Sequence, residues 1–438
     1  MVVLNKYKNK NIAIYGMGRS GCSAAKKLKE LKANIFCWDD KNNIRKKINF
    51  PLEKFWLKKN YNIDHIVISP GIDIKNCKIK KFLLKNSKKI ITDLDIFFEI
   101  NKNIKIISIT GTNGKSTTCK ILESIFKKAG YKVFLGGNIG KPVLSFKITS
   151  KKIIFILEVS SYQLEYSKIF HTNHAAILNI SPDHLERHKN ILNYIKIKTR
   201  IFSGQRSSDF SYINFTNKYF KFIKNEFKRK KIKSKLIHIN QSNFKKIIKR
   251  INNKYFNSKG NLENLCFSYK IAKNFHINDK IIFNALNHFT GLPHRQEIVF
   301  QNKYVTCVND SKATSFDACF QSLSVYSKIY WIVGGLPKDH DRFNFKNISK
   351  NIIKAYIIGK KALFFKKQIP KNISFQVSNT LHKALKNIYK DFNKNQNFGA
   401  TVLLSPAAAS FDQFKDFEER GDIFKNLVKN KFRRVRDV

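Results

Sequence analysis

The stretch Ile106-Ile107-Ser108-Ile109-Thr110-Gly111-Thr112-Asn113-Gly114-Lys115-Ser116-Thr117-Thr118 constrains the chain more than any other. A β-branched run halts at Gly111, a turn with two glycines follows, and Lys115 opens a segment, Cys119 to Lys128, whose apolar residues recur at helical spacing. Strand, glycine turn and helix in that order make a phosphate loop. Backbone N–H groups turn toward an anion, and the helix N-terminus adds about half a positive charge. Lys115 can reach the outer phosphates of a nucleotide, and Ser116 or Thr117 can hold Mg²⁺. The loop is a short form of G-x-x-x-x-G-K-[ST], because Ile109 stands where the first glycine would be. The bland alternative is a Gly/Asn turn beside a chance lysine, but it lacks a reason for the strand before and the helix after.

A second glycine motif lies upstream. Asn11 to Tyr15 reads as a strand, Gly16-Met17-Gly18-Arg19-Ser20-Gly21 is a full G-x-G-x-x-G, and a helix runs on through Leu31. The next strand, Asn34 to Trp38, ends on Asp39 and Asp40, where a ribose-binding acid is expected. Taken alone, the motif fits a dinucleotide, a nucleotide-sugar, or glycines that merely let helix and strand pack closely. Ile66-Val67-Ile68 then ends at Ser69-Pro70-Gly71, another corner at a strand's carboxyl end, where open α/β sheets bind ligands.

A second α/β unit starts near Thr92 and carries the phosphate loop. Val133 to Leu135 leads to Gly136-Gly137-Asn138-Ile139-Gly140, and the strand Ile153 to Leu157 delivers Glu158. A carboxylate at the end of a buried strand, one crossover after a phosphate loop, is placed to meet the Mg²⁺ of a triphosphate. Ala175 to Asn179 delivers Ser181-Pro182-Asp183-His184, in which Asp183 serves equally well as a helix cap and His184 as a surface residue. Leu192 to Phe202 reads as a helix with Tyr194 and Lys198 on one face. From Phe210 to about Gly260 the chain reads as lysine- and asparagine-rich helices and linkers, with no functional assignment. A third segment starts at Thr290-Gly291-Leu292-Pro293-His294-Arg295. Its strands Val305 to Val308, Tyr330 to Val333 and Val402 to Leu404 each end in a polar corner: Asn309-Asp310-Ser311-Lys312-Ala313-Thr314, Gly334-Gly335-Leu336-Pro337-Lys338-Asp339 and Ser405-Pro406-Ala407-Ala408-Ala409-Ser410.

At 438 residues the chain has room for about three domains. Lys+Arg is 84 against Asp+Glu 30, a formal charge of +54. The lysines are spread through every expected helix, so they read as a solvated surface that steers polyanions inward, not as a nucleic-acid groove. The seven cysteines form no C-x-x-C, so neither zinc nor a disulfide framework is indicated. The N-terminus lacks an apolar targeting core, and no apolar run reaches about 18 residues. A soluble, cytoplasmic protein without membrane insertion is expected. On the residues alone an NAD-dependent oxidoreductase or a nucleic-acid-stimulated ATPase stays open; the first leaves the phosphate loop and Glu158 unused.

Taken together, GMGRSG, SPGI, GTNGKSTT, GGNIG, LEVSSYQLE, NISPDHLERH, GLPHR, NDSKAT and SPAAASFDQFKDFEERG resemble the Mur ligases, ATP-dependent amide-bond-forming enzymes of peptidoglycan precursor synthesis. The resemblance covers almost the whole chain, and the short phosphate loop is that family's own form. It implies an α/β fold in three domains: a Rossmann-like domain over residues 1–91 for a UDP-sugar, a central P-loop-type ATPase domain with a mostly parallel sheet over 92–291, and a Rossmann-like domain over 292–438 for the incoming amino acid. The branch it points to adds D-glutamate to UDP-N-acetylmuramoyl-L-alanine, as a monomer. Ser20, Asp39, Asp40, Gly71 and Asn138 would contact the UDP-sugar. Gly111, Thr112, Asn113, Gly114, Lys115, Ser116, Thr117, Asn264, Arg295 and Asp310 would bind ATP. Ser116 and Glu158 would hold a first Mg²⁺, and His184 with a carbamylated Lys198 a second. Thr314, Lys338, Ser410 and Phe417 would surround D-glutamate. Lys115, His184, Lys198 and Arg295 would carry the chemistry. Two positions depart from the family pattern: Gly260 stands for a histidine in the run Gly260-Asn261-Leu262-Glu263-Asn264, and Lys41 for a uracil-contacting arginine.

Overall fold

The computed structural model describes residues 6–57, 62–146, 152–338 and 341–432. Asp339 and the first five residues lie outside that set. The chain divides into two compact units, Met1–Asn252 with Glu263–His288, and Asn253–Leu262 with Phe289–Val438.

The first unit holds two sheets. In the smaller, β1 (Asn11–Tyr15), β2 (Asn34–Trp38), β3 (His65–Ile68) and β4 (Ile90–Ile91) are parallel in the order β2-β1-β3-β4. The strand order reverses at β1, so the carboxyl ends of β1 and β3 flank a crevice, the place where such sheets take ligands. Ser69 closes its floor: its hydroxyl donates to the Gly16 carbonyl at 2.5 Å. Thr92 then caps the helix Asp93–Ile100, accepting from the Asp95 amide while Asp95 accepts from the Thr92 amide.

The larger sheet contains β5 (Lys105–Thr110), β6 (Lys132–Gly137), β7 (Ile153–Glu158), β8 (His174–Ile177), β9 (Phe210–Asn214) and β10 (Lys235–Ile239), all parallel, in the order β10-β9-β8-β5-β7-β6. Every residue of β7 is buried, which is why it reads as a continuous apolar run and not as an alternation. Here the order reverses at β5, bringing the ends of β7 and β8 to either side of the phosphate loop. The strands β9 and β10 correct the reading of Phe210 to Gly260 as helices and linkers. Phe-Ser-Tyr-Ile-Asn and Lys-Leu-Ile-His-Ile are short and polar at alternate or terminal positions, so the surrounding lysine and asparagine mask their period.

The second unit is built on β11 (Glu297–Gln301), β12 (Val305–Asn309), β13 (Ile329–Gly334), β14 (Ile352–Ile358), β15 (Ser374–Asn379) and β16 (Ala400–Leu404), ordered β11-β12-β16-β13-β14-β15. Only β11 is antiparallel to its neighbour. The last central strand, β16, slots between β12 and β13, so the three polar corners after β12, β13 and β16 end side by side. All seven cysteines are unbridged, and no helix among the described residues is long and apolar enough to cross a membrane.

Candidate active site

The phosphate loop is shaped by its glycines and braced from two sides. Gly114, at φ 81°, is the left-handed residue that precedes the helix Lys115–Lys128, and a Cβ there would meet Asn264 Oδ1 at 2.3 Å. Asn264 in turn accepts from the Thr118 hydroxyl at 3.2 Å. On the β8 side the Asn113 amide donates to Asn179 Oδ1 at 2.8 Å, the Thr112 amide to the Asn179 carbonyl at 2.9 Å, and Asn179 Nδ2 reaches Glu263 at 3.2 Å. Lys115 Nζ folds back on the Gly111 and Thr112 carbonyls at 2.9 and 2.7 Å. The expected ATP residues Gly111 to Thr117 and Asn264 thus form one cluster. The brace through Asn179 and Glu263 was not read from the sequence; Asn179, at the end of a strand facing the loop, was the available signal.

Glu158 and Ser116 meet at this loop. The Ser116 hydroxyl donates to Glu158 Oε2, and Asn138 Nδ2 donates to Oε1 at 2.8 Å. The glutamate is 2% exposed. A hydroxyl and a carboxylate oxygen beside a triphosphate cradle suit Mg²⁺, which takes one or two carboxylates and draws its remaining oxygens from phosphate and water. Among the described residues no group of three or more His, Cys, Asp or Glu could hold a metal by itself. One hydroxyl and one carboxylate leave the remaining ligand positions to phosphate and water, so this donor set fits an ion that arrives with a nucleotide.

Lys198 does not behave as a surface lysine. It is 1% exposed, and its Nζ donates to Thr110 Oγ1 at 3.2 Å and to the Gly111 carbonyl at 2.9 Å. Burial, then the nearby charge of Lys115, holds its pKa well below the usual lysine range, while Asp183 and Glu158 act in the opposite sense. The expected i, i+4 face is present, with Nζ 4.6 Å from the Tyr194 ring centroid. His184 sits at φ 53° before the helix Leu185–His188. Its Nδ1 is 3.0 Å from the Tyr162 hydroxyl, and its Nε2 is 3.4 Å from Asp183 Oδ2. Asp183 also accepts from the His184 amide at 3.1 Å, but the capping position is His184 itself and no side chain caps the helix, so Asp183 pairs with the histidine and the helix-cap expectation does not hold.

In the smaller sheet's crevice the glycines separate into two kinds. A Cβ on Gly16 or Gly21 would meet neighbouring atoms at 2.8 and 2.0 Å, whereas Gly18 and Gly71 face open space. Gly16 and Gly21 thus serve close packing, and Gly18 and Gly71 leave the crevice open. Asp39 accepts from the amides of Met17 at 2.7 Å and Lys41 at 2.9 Å, so it braces the glycine loop. Asp40 accepts from the Tyr15 hydroxyl at 2.6 Å and the Trp38 indole at 3.3 Å. Ser20, on the first turn of the helix Arg19–Glu30, bonds to the carboxyl of Asp93, which burial raises to about 6. Asp93 follows the helix cap Thr92, and nothing in its sequence neighbourhood marks it as a partner of Ser20.

In the second unit Asp310 is enclosed. Its Oδ2 accepts from Ser322 at 2.6 Å and Ser405 at 2.8 Å, its Oδ1 from the Gln296 amide at 3.2 Å, and burial raises its pKa to about 6. Arg295 is close enough to oppose that rise. Phe417 carries Lys312 on its ring, with Nζ 3.5 Å from the centroid. Ser410 is buried and Thr314 half-buried, whereas Lys338 is exposed. The residue that sequence reasoning passed over is Arg420, 1% exposed, which donates to Ser311 Oγ, the Ser311 carbonyl and the Ala408 carbonyl at 2.9, 2.8 and 3.0 Å. It ties two of the three corners together, and burial lowers its pKa to about 10. At Gly260 a Cβ would meet Gln321 Oε1 at 2.5 Å, the tip of a flexible side chain that would have to move aside for it.

A family model of the Mur ligase middle domain matches residues 109–290. The UDP-N-acetylmuramoylalanine–D-glutamate ligase of Rickettsia felis is 33% identical, with 97% of this chain and 98% of that protein covered. The enzyme of the same name from Rickettsia bellii is 34% identical over 96% and 98%. Among solved structures, MurF ligase from Thermotoga maritima in complex with ADP superimposes with a TM-score of 0.58 at 13% identity, covering 98% of this chain and 99% of that one. UDP-N-acetylmuramate-alanine ligase MurC from the same organism gives 0.54 at 16%, covering 96% and 99%. These two share the fold. With relatives this similar along nearly its full length and a phosphate loop, buried glutamate and buried lysine converging at one strand reversal, the chain belongs to the UDP-N-acetylmuramoylalanine–D-glutamate ligases of the Mur ligase family.

Proposed function

We propose that this protein joins D-glutamate to UDP-N-acetylmuramoyl-L-alanine at the expense of ATP, as a cytoplasmic monomer in peptidoglycan precursor synthesis. The observation that carries the reading is the pairing of Ser116 with Glu158 at the foot of the phosphate loop, within a chain whose full-length relatives bear that enzyme's name. Three domains divide the work: residues 1–91 hold the UDP-sugar through the crevice at Gly18 and Gly71, 92–291 hold ATP, and 292–438 hold D-glutamate through Thr314, Lys338, Ser410 and Phe417.

A carboxylate and an amine do not condense at neutral pH without activation. The alanyl carboxylate attacks the γ-phosphate to give an acyl phosphate and ADP; the D-glutamate amine then attacks the acyl carbon and inorganic phosphate leaves. The first step brings anionic groups together, so positioning and charge neutralisation dominate it. Lys115 swings from the loop carbonyls to the phosphates, Arg295 adds a second cation, and the loop amides cradle the β-phosphate. Ser116 with Glu158 would hold one Mg²⁺ and His184 with Lys198 a second, and these ions would supply further neutralisation of the phosphates. Lys198 suits that role only as a carbamate, since an ammonium has no acceptor. Its depressed pKa supports this, because only the neutral amine takes up CO₂.

The test is ADP release in the presence of UDP-N-acetylmuramoyl-L-alanine and D-glutamate, with Lys115→Ala alongside. Release that needs both substrates and drops by roughly 100-fold or more in a folded Lys115→Ala variant is expected. Release indifferent to the UDP-sugar, or undiminished in the variant, would refute the reading.

A further inference from the structure

Two short helices at the carboxyl ends of β7 and β8 are laced together, and the lacing extends to the crevice of the smaller sheet. The helix Ser161–Tyr166 follows Glu158, and Leu185–His188 follows His184. Side-chain hydrogen bonds join them: Ser161 Oγ with His188 Nε2 at 3.0 Å, Tyr162 hydroxyl with His184 Nδ1 at 3.0 Å and with Glu186 Oε1 at 3.4 Å, and Glu165 Oε2 with Arg187 Nε at 2.8 Å. The last pair is buried, its side chains 8% and 9% exposed, and the Arg187 guanidinium also lies 4.5 Å from the Tyr162 ring centroid.

From this laced pair two donors and acceptors reach the segment that follows Gly71. Arg187 Nη2 donates to the Ile72 carbonyl at 2.7 Å, and the Tyr166 hydroxyl accepts from the Ile74 amide at 3.2 Å. The guanidinium's planar fork allows this arrangement, since it satisfies a carboxylate with one nitrogen and a carbonyl with another. The same residue therefore touches the segment next to the open Gly71 corner and is fixed to the helix that begins at His184.

We propose that Arg187, assisted by Tyr166, is a positioning residue that sets the spacing between the nucleotide-sugar corner at Gly71 and His184. This rests on the functional reading given above. If that spacing fixes where the acceptor carboxylate lies relative to the γ-phosphate, its loss acts on the acceptor substrate and on the chemical step and leaves ATP capture alone. A residue that merely holds the fold together would instead lower stability with no preference among substrates.

The experiment uses the full chain. Tyr166→Phe removes one hydroxyl, and the double variant E165Q/R187M removes both buried charges, avoiding an unpaired Glu165 that could unfold the protein. For each, melting temperature, kcat and the KM values for UDP-N-acetylmuramoyl-L-alanine, ATP and D-glutamate are measured. With positioning lost, the double variant should show kcat lowered by about 100-fold, the scale of a 1 Å misplacement. Its KM for the UDP-sugar should rise while its KM for ATP stays within about twofold, and Tyr166→Phe should move the same parameters less far. Equal changes in both KM values, or an unaltered kcat in a folded double variant, would overturn the proposal. If the double variant does not fold, the Tyr166→Phe pattern decides alone: a selective UDP-sugar effect supports the proposal and its absence refutes it. A wild-type chain inactive with these substrates would instead refute the functional reading.

Discussion

The Ser116 hydroxyl and Oε2 of Glu158 stand 2.5 Å apart, a residue of the phosphate loop against the last residue of the neighbouring strand. A hydroxyl and a carboxylate oxygen this close together beside the phosphate loop would hold Mg²⁺ arriving with a nucleotide, and the ion would supply charge neutralisation at the phosphates. Asn138, donating to the other carboxylate oxygen, holds the Glu158 side chain in this orientation.

Glu158→Gln keeps the shape and an acceptor for Ser116 but removes the charge. The Mg²⁺ concentration for half-maximal rate should rise by at least about 10- to 100-fold, with a stability change too small to account for it. An Mg²⁺ titration of initial rate checks this; an unchanged midpoint would remove Glu158 from the metal site.

For Lys198 the alanine and arginine variants separate the two readings of a lysine. Lys198→Ala should be nearly inactive, with partial recovery in formate or acetate as a carboxylate enters the space beside Thr110. Lys198→Arg should stay inactive, because a guanidinium keeps its proton and takes up no CO₂. An active arginine variant would rule out the carbamate.

Lys338 and Ser410 are expected at the carboxylates of D-glutamate. Replacing either by alanine should raise KM for D-glutamate by roughly tenfold or more, since a hydrogen bond to a charged group contributes about 1.5–3 kcal/mol. KM for ATP should hardly move. Parallel changes in both constants would displace these residues from the amino-acid site.

The strand end Ile177-Leu178-Asn179 and the loop at Gly111 show why some of the molecule was legible in the sequence and some was not. The loop, Glu158 and the G-x-G-x-x-G turn each follow a buried strand, so an apolar run followed by a break announces them. The ends of β1, β2, β5 and β7 accordingly stand where the pattern placed them. Asn179, Asp93 and Arg420 each have a partner 66 or more positions away in sequence, and nothing local distinguishes such a residue from a cap or a surface charge. The same holds for β9 and β10, whose period is hidden by a lysine-rich background, and for β14 and β15, which end in no recognisable motif.

Acid sensitivity should have an identifiable source in His174. Its ring is 5% exposed and stacked on Phe210 and Phe275, and burial lowers its pKa to about 3. As pH falls through 6.5 the unfolded histidine takes up a proton that the folded one refuses, so stability declines toward the folded pKa. Asp93 and Asp310, both raised to about 6, work in the opposite sense from about pH 6 down to the ordinary carboxylate range near pH 4, because the folded state holds their protons longer as pH rises. His174→Phe keeps the stacking and removes the proton. Its stability relative to wild type should shift in its favour by about 2 kcal/mol between pH 7 and pH 4.5. Denaturant unfolding at both pH values measures that difference; a constant difference would mean His174 is protonated in the fold.

The central claim is the identity of the amino acid added. The decisive measurement supplies the purified protein with ATP, Mg²⁺ and UDP-N-acetylmuramoyl-L-alanine, offers L-alanine, L-glutamate, D-glutamate, meso-diaminopimelate and D-alanyl-D-alanine in separate reactions, and identifies the nucleotide product by mass. A product larger by one glutamyl residue is expected with D-glutamate alone, together with one ADP per bond formed. A product with L-glutamate or any other amine in preference to D-glutamate, or bond formation without ADP, would contradict it.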